Sequence, residues 1–257
     1  MYVMVYDTEC NGLDTKDGYT MELAWGVYNV CPERDIWRLT KSHAHLLKWS
    51  HDYLVDEKAF AVTQLASDFC EIHGTPVRQV FNKFLSDLMD CDFIAGQNII
   101  QFDIPMMVSN LNRANLDSKL LREIPAIDTY YDLNLSPNMK AKSLSYFALD
   151  HGYVNFGAHQ AMNDVFACAH ILSKYSITTT ATIAETPLIE VITTNQYANK
   201  ERKNLLYSLG FKWNGDTKTY NKITRKFFLP TLEDKLDGLT VRQIYPIVID
   251  TQVELPF

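Results

Sequence analysis

The sequence predicts an α/β protein: a large layered domain with a mixed central sheet flanked by helices, followed by a small α+β module. Three observations carry this expectation. Strand-like runs come first in an antiparallel order, and single short strands then alternate with amphipathic helices. The 257 residues are 47% hydrophobic, enough for a sizeable core plus a second small unit. A Thr/Ala-rich run at 178–186 breaks the composition and reads as a linker between an expected domain at 1–177 and a module at 187–257.

Tyr2–Tyr6 reads as an apolar first strand, and Gly12–Gly18 as a turn-rich loop. Met21–Val30 and Asp35–Ser42 continue as strands of a meander. The next stretch carries His43, His45, Trp49, His51 and Asp52; its spacing fits no metal-ligand set, so it reads as loop or core packing. Phe60–Ile72 reads as a helix with Phe60, Leu65, Phe69 and Ile72 on its inner face, stopped by His73-Gly74-Thr75-Pro76. Val77–Asp90 reads as a second helix with Val80, Phe81, Phe84, Leu85 and Leu88 inward.

Phe93–Asn98 is a short buried strand, and Asp103–Asn110 a helix with Pro105 in its first turn, where the missing N–H is harmless. Ala126–Thr129 is another strand. Ser143–His151 is a helix closed by Gly152, and Ala161–Ser173 a further helix. In the module, Leu188–Thr193 reads as a strand. A helix capped by Asn195 runs to Leu209 and ends at Gly210, and Phe211–Lys222 reads as a hairpin around an Asn214-Gly215 turn.

No apolar run approaches the ~18 residues of a membrane span, and the N-terminus lacks signal-peptide character. The five cysteines form no C-x-x-C pair and read as free thiols, mostly core, of a reducing compartment. The expectation is a soluble, cytoplasmic protein of a bacterial or phage-infected cell, with no membrane partner. Net charge is −7, but residues 200–226 hold 8 basic and 2 acidic side chains. Lys212, Lys218, Lys222, Arg225 and Lys226 alternate there with Phe211, Trp213, Tyr220, Phe227 and Phe228. Such a run either packs its rings inside the module or presents a basic, stacking face to nucleic acid.

Chemistry concentrates at three places. Asp7 and Glu9 follow the first strand at i and i+2, so they leave one face of it. Two buried carboxylates side by side are costly without a cation, and carboxylate oxygens suit Mg²⁺ or Mn²⁺. Asp103 opens a helix about 95 residues on, after a turn carrying Asn98 and Phe102. His159 and Asp164 follow roughly 55 residues later, at the start of the helix over 161–173.

D-x-E on a first strand, an Asp at a helix start, then H-x-x-x-x-D resembles the DnaQ-like (DEDDh) family of 3′→5′ exonucleases over about residues 1–175. Met21-Glu22-Leu23-Ala24, Asp128-Thr129, Ser143-Leu144 and Gly157-Ala158-His159 fit the same pattern, while Gln97 stands where the family has His in H-N-x-x-F-D. The resemblance implies a ribonuclease H-like sheet and two divalent cations, Mg²⁺ or Mn²⁺, held by Asp7, Glu9, Asp103 and Asp164. It makes His159 the base that takes a proton from the attacking water, a role suited to a side chain that titrates near neutrality. Thr8, Asn98 and Phe102 are the expected contacts to the terminal nucleotide.

The implied reaction is hydrolysis of the terminal phosphodiester of DNA, single-stranded or frayed, releasing nucleoside 5′-monophosphates, as in proofreading or DNA repair. Alternatives are an exoribonuclease of the oligoribonuclease or ribonuclease T type, or a non-catalytic nucleic-acid-binding partner. A homodimer or a polymerase partner is compatible with the family.

Overall fold

The computed structural model describes residues 1–133, 143–154, 157–194 and 200–245. The chain forms two compact units that divide between Thr182 and Ile183.

Among the described residues, the first unit is built on six strands: β1 (Tyr2–Cys10), β2 (Thr20–Cys31), β3 (Ile36–Lys48), β4 (Thr75–Pro76), β5 (Phe93–Gly96) and β6 (Ala126–Asp128). They lie in the order β4-β3-β2-β1-β5-β6. β1, β2 and β3 pair antiparallel, whereas β5 and β6 run parallel to β1. This is the mixed sheet of the ribonuclease H-like fold. Central β1 explains its own composition: Val3, Met4 and Val5 are fully buried and Tyr6 nearly so, which needs an apolar run rather than an alternating one. Each such side chain contributes roughly 1.5–3 kcal/mol when it leaves water.

Among the described residues, the helices of this unit are α1 (Glu57–Thr63), α2 (Ser67–His73), α3 (Val77–Leu88), α4 (Asp103–Arg113), α5 (Lys119–Glu123), α6 (Leu144–Asp150), α7 (Ala161–Leu172) and α8 (Ile177–Ala184), whose last two residues fall in the second unit. α3 buries Val80, Phe81, Phe84 and Leu88 of the expected stripe, and Val77 besides, while Leu85 is only half-buried. Phe84 meets Tyr6 and Trp25 edge-on, with ring centroids 5.3 and 5.5 Å away. α7 packs across β1 and β2, and its alanines at 161, 167 and 169 are all buried, as close approach to a sheet requires.

Three expectations change. The single helix over Phe60–Ile72 is two short helices, because Gln64 turns into the left-handed region at φ 58° and Thr63 Oγ1 binds back to the Ala59 carbonyl at 3.0 Å. Phe60, Phe69 and Ile72 are consequently exposed rather than inward. The histidine-rich stretch is not wholly loop: β3 runs on to Lys48, with His43 tilted on Trp25 at 4.9 Å. Polar histidines at alternate positions hid this strand from an apolar-period reading. Most of the 178–186 linker is α8, which buries Ile177, Thr180, Ala181, Ile183 and Ala184. Its run of β-branched threonines, poor helix formers, disguised that helix. Short α5 was not foreseen.

The second unit contains β7 (Leu188–Thr194), α9 (Lys200–Ser208), β8 (Lys212–Asn214), β9 (Thr219–Arg225), a 3₁₀ turn at Lys226–Phe228, α10 (Leu229–Glu233) and β10 (Thr240–Tyr245). Its sheet order is β10-β7-β9-β8. Ile189, Val191, Leu206, Phe211, Tyr220, Leu232 and Leu236 form its core. Gly210 ends α9 at φ 83°, a conformation that favours glycine. The hairpin is present, with Asn214 Oδ1 accepting from the N–H groups of Asp216 and Thr217 in a four-residue loop. The proposed cap Asn195 lies outside the described residues. Among those residues, no helix is long and apolar enough to cross a membrane.

Candidate active site

The parallel strands explain why distant residues meet. β1, β5 and β6 all end on the same edge of the sheet, where the crossover connections leave. The carboxyl end of β1 delivers Asp7, Thr8 and Glu9, which belong to the strand itself. After β5 the chain turns through Asn98 into α4, whose first residue is Asp103. β6 ends on Asp128. α7, lying over β1 and β2, brings Asp164 in its first turn and His159 just ahead of it.

Glu9, His159 and Asp164 each offer one ligand atom, and these atoms lie within 4.8 Å of one another. Glu9, Asp103 and Asp164 are buried, Asp7 is half-buried and His159 is exposed. Asp103 is turned toward Thr8: its Oδ1 accepts from the Thr8 hydroxyl at 2.6 Å and from the Thr8 N–H at 3.1 Å. It therefore stands outside the 4.8 Å group, as does Asp7.

The electrostatics are those of a site built for positive charge. Burial raises the Asp7 carboxyl well above the carboxylate range, and Asp103, Asp164, Glu9 and Glu22 push it further. Burial, then Asp164, Glu22 and Asp103, push Glu9 up to about 8. Burial lifts Asp103 to about 7 against the two bonds from Thr8. Carboxyls held this high release protons when a cation binds, which is the usual linkage of metal affinity to pH. The all-oxygen set with one imidazole suits a hard divalent ion.

Two backbone positions are strained. His159 has φ 66° and Asn98 has φ 57°. A non-glycine residue in this region costs about 1–3 kcal/mol and needs local compensation. His159 N–H donates to Asp164 Oδ2 at 3.1 Å, and Asn98 N–H to Asp128 Oδ1 at 2.9 Å. Gly157 permits the tight entry to α7, because a Cβ there would collide with the Asn163 side-chain amide.

Sequence reasoning missed three supports. Glu22 faces Glu9 across the β1–β2 pair, and its Oε2 accepts from the N–H of Ala161, the first residue of α7, at 3.3 Å. Gln160 supplies no side-chain cap there, so Glu22 satisfies an otherwise open helix-end donor. The Glu22 carboxyl is itself raised, by burial and by Asp164. Cross-strand register alone could have revealed it. Buried Asp128 accepts from Asn98, Ile100 and Tyr130 N–H groups and so fixes the turn that carries Asn98. Gln97, the departure from the motif, contacts the Thr129 hydroxyl through its Oε1.

The third support is the loop beyond Glu9. Asn11 Nδ2 donates to the Leu54 carbonyl at 2.7 Å, and Asn11 Oδ1 accepts from Tyr19 N–H at 2.6 Å. From α4, Asn110 Nδ2 and Arg113 Nη1 both donate to the Gly18 carbonyl, at 3.0 and 2.7 Å. The Arg113 guanidinium lies 4.1 Å from the Tyr19 ring centre. One helix thus carries Asp103 at its first residue and the strap on this loop at its end.

This sheet, with acids at the end of its central strand, is the arrangement of a ribonuclease H-like nuclease. A family profile described as Exonuclease (RNase T) matches residues 4–172, and the chain belongs to that family, in line with the DnaQ-like resemblance of its sequence. Among solved structures it is similar to Escherichia coli exonuclease I in complex with a dA16 oligonucleotide. The identity is 14% and the TM-score 0.57, over 75% of this chain and 48% of that one. The zinc-bound form of the E. coli exonuclease I–single-stranded DNA complex gives 14% identity and a TM-score of 0.58 over the same shares. The chain spans about half the length of these structures. No curated protein matches the sequence.

Proposed function

We propose that this protein removes nucleotides from the 3′ end of DNA, single-stranded or frayed, releasing nucleoside 5′-monophosphates with the help of two divalent cations. The observation that carries the reading is the meeting of Glu9, His159 and Asp164 beside Asp7 and Asp103 at the end of β1. Asp7, Glu9, Asp103 and Asp164 would hold the cations, Mg²⁺ or Mn²⁺. Bound there, such ions supply charge stabilisation at the phosphoryl group and ease ionisation of the attacking water.

The chain's own residues do the rest. The exposed His159 imidazole, beside Glu9 and Asp164, takes the proton from the attacking water. The Asn98 side chain holds the terminal nucleotide and half-buried Phe102 lies near its base, whereas buried Thr8, with its N–H and hydroxyl given to Asp103, orients that carboxylate instead of touching the nucleotide. Glu22 fixes the start of α7 and with it the position of Asp164 and His159. The two exonuclease I structures are described as complexes with DNA, which supports DNA over RNA for this chain.

The test is a panel of 5′-labelled DNA and RNA, single- and double-stranded, with Mg²⁺, Mn²⁺ or EDTA. The expected outcome is cation-dependent, stepwise shortening of single-stranded DNA from its 3′ end. Faster shortening of RNA would reassign the protein to the exoribonucleases. No hydrolysis of any substrate would leave a binding protein.

A further inference from the structure

The second unit divides its basic and aromatic residues into two groups, and only one group is tied up. Phe211 and Tyr220 are core. Lys222 Nζ donates to the Leu209 carbonyl at the end of α9 at 2.7 Å, and burial lowers its pKa. Buried Arg225 donates to the Thr186 carbonyl at 3.0 Å. Arg202 reaches the Asp237 carbonyl at 3.2 Å. These two rings and three cations build the module.

The other group faces solvent. On α9, Lys200, Lys203 and Tyr207 recur at i, i+3 and i+7, one stripe of the helix, while Leu206 turns inward. Tyr207 is 55% exposed although apolar in body. Its ring sits edge-on to Tyr220 at 5.6 Å, and Tyr220 meets Trp213 at 5.0 Å. Trp213, on edge strand β8, is 40% exposed. Two exposed rings therefore flank a buried one, and the lysine stripe runs up to them. Lys212 and Lys218, both exposed, extend from the same hairpin. Among the described residues, none of Lys200, Lys203, Lys212 and Lys218 is held in an ion pair, and the acids of the 200–226 segment are Glu201 and Asp216 alone. Rings for bases and unpaired cations for phosphates are what a single strand needs from a protein.

We propose that the outer face of α9 and the adjoining end of β8 bind single-stranded nucleic acid, with Tyr207 and Trp213 stacking on bases and Lys200 and Lys203 on phosphates. This surface belongs to the second unit, and the proposal does not depend on the reading of the acid cluster. The test uses the full chain in EDTA, so binding is read without hydrolysis. Fluorescence anisotropy follows labelled oligo(dT) and oligo(U) over a salt series.

Trp213→Ala is expected to weaken binding about tenfold, the scale of one lost base stack, whereas Trp213→Phe keeps a ring and stays within about threefold. The double variant Lys200→Glu, Lys203→Glu is expected to weaken binding and to flatten the log–log salt slope by about 1.4, two phosphates' worth. Both lysines are exposed, so this pair decides the matter even if Trp213→Ala lowers the melting temperature. Parallel losses for oligo(dT) and oligo(U) support stacking on any single strand. Wild-type affinity and slope in the lysine pair and in Trp213→Ala would overturn the proposal and leave these rings to a protein partner.

Discussion

The two units handle charge in opposite ways. The first gathers Asp7, Glu9, Glu22, Asp103 and Asp164 at a strand end, buries most of them, and lets them raise one another's pKa. The second sends its lysines outward and uses cations internally only where a carbonyl receives them. The difference teaches what each needs from outside. Buried like charges are unstable until a small, hard cation enters, so that region is specified by what must neutralise it. Exposed cations beside rings cost little alone and gain only against an extended polyanion.

Experiments that break the contrast start with the largest effect. Asp7→Ala or Asp164→Ala should lower hydrolysis of labelled single-stranded DNA on the order of 10³-fold or more, a loss of several kcal/mol of charge stabilisation. Circular dichroism should show the fold retained. His159→Ala should cost about 10²–10⁴ in kcat, the range for a lost general base, with KM for the oligonucleotide nearly unchanged.

Glu22→Ala should have a smaller effect. It frees the Ala161 N–H, and kcat is expected to fall about 10-fold with KM nearly unchanged, on the scale of a lost buried acceptor at about 1–3 kcal/mol. Glu22→Gln keeps an acceptor oxygen and should recover most of the rate; no recovery would mean that the charge, not the bond, matters.

The mildest test is thermal. Glu9 at about 8 and Asp103 at about 7 bind protons in the folded state that the unfolded chain has already lost. Their contribution to stability in EDTA should therefore be fully present below the ordinary carboxylate range and be lost as pH rises through about 7 to 8. Mn²⁺ binds the ionised carboxylates, so its stabilising shift should grow over the same interval. A melting temperature that rises from pH 6 to 8 in EDTA would contradict the electrostatics described for the site.

Much of the acid cluster could be read from the sequence because the chemistry restricts residue type. Asp7, Glu9, Asp103, His159 and Asp164 stand at strand ends and helix starts that local patterns locate. Glu22 was less visible: its place depends on which residue of β2 lies opposite Glu9, and nothing local sets that register. The α3 stripe was legible from its period. The α1–α2 break was not, since Gln64 has no steric signature of a left-handed residue. β3 was cut short because His43 and His45 are polar, yet their rings pack on Trp25. In the second unit, alternation of rings and lysines did not separate core from surface. Trp213 and Tyr220 are register partners and leave the same face of the sheet, yet Tyr220 is core and Trp213 is exposed, because β8 is the edge strand.

Helix α4 sets a tolerance that substitutions alone do not expose. It is a rigid spacer whose two ends serve different masters, Asp103 at one and the Asn110–Arg113 strap at the other. A single residue inserted in its middle would rotate one end against the other by about 100° and lengthen it by about 1.5 Å. Either the carboxylate or the clasp on the Gly18 carbonyl would then miss its mark. With only Asn112 of α4 exposed, neither its faces nor the count of residues between those ends leaves much room for change.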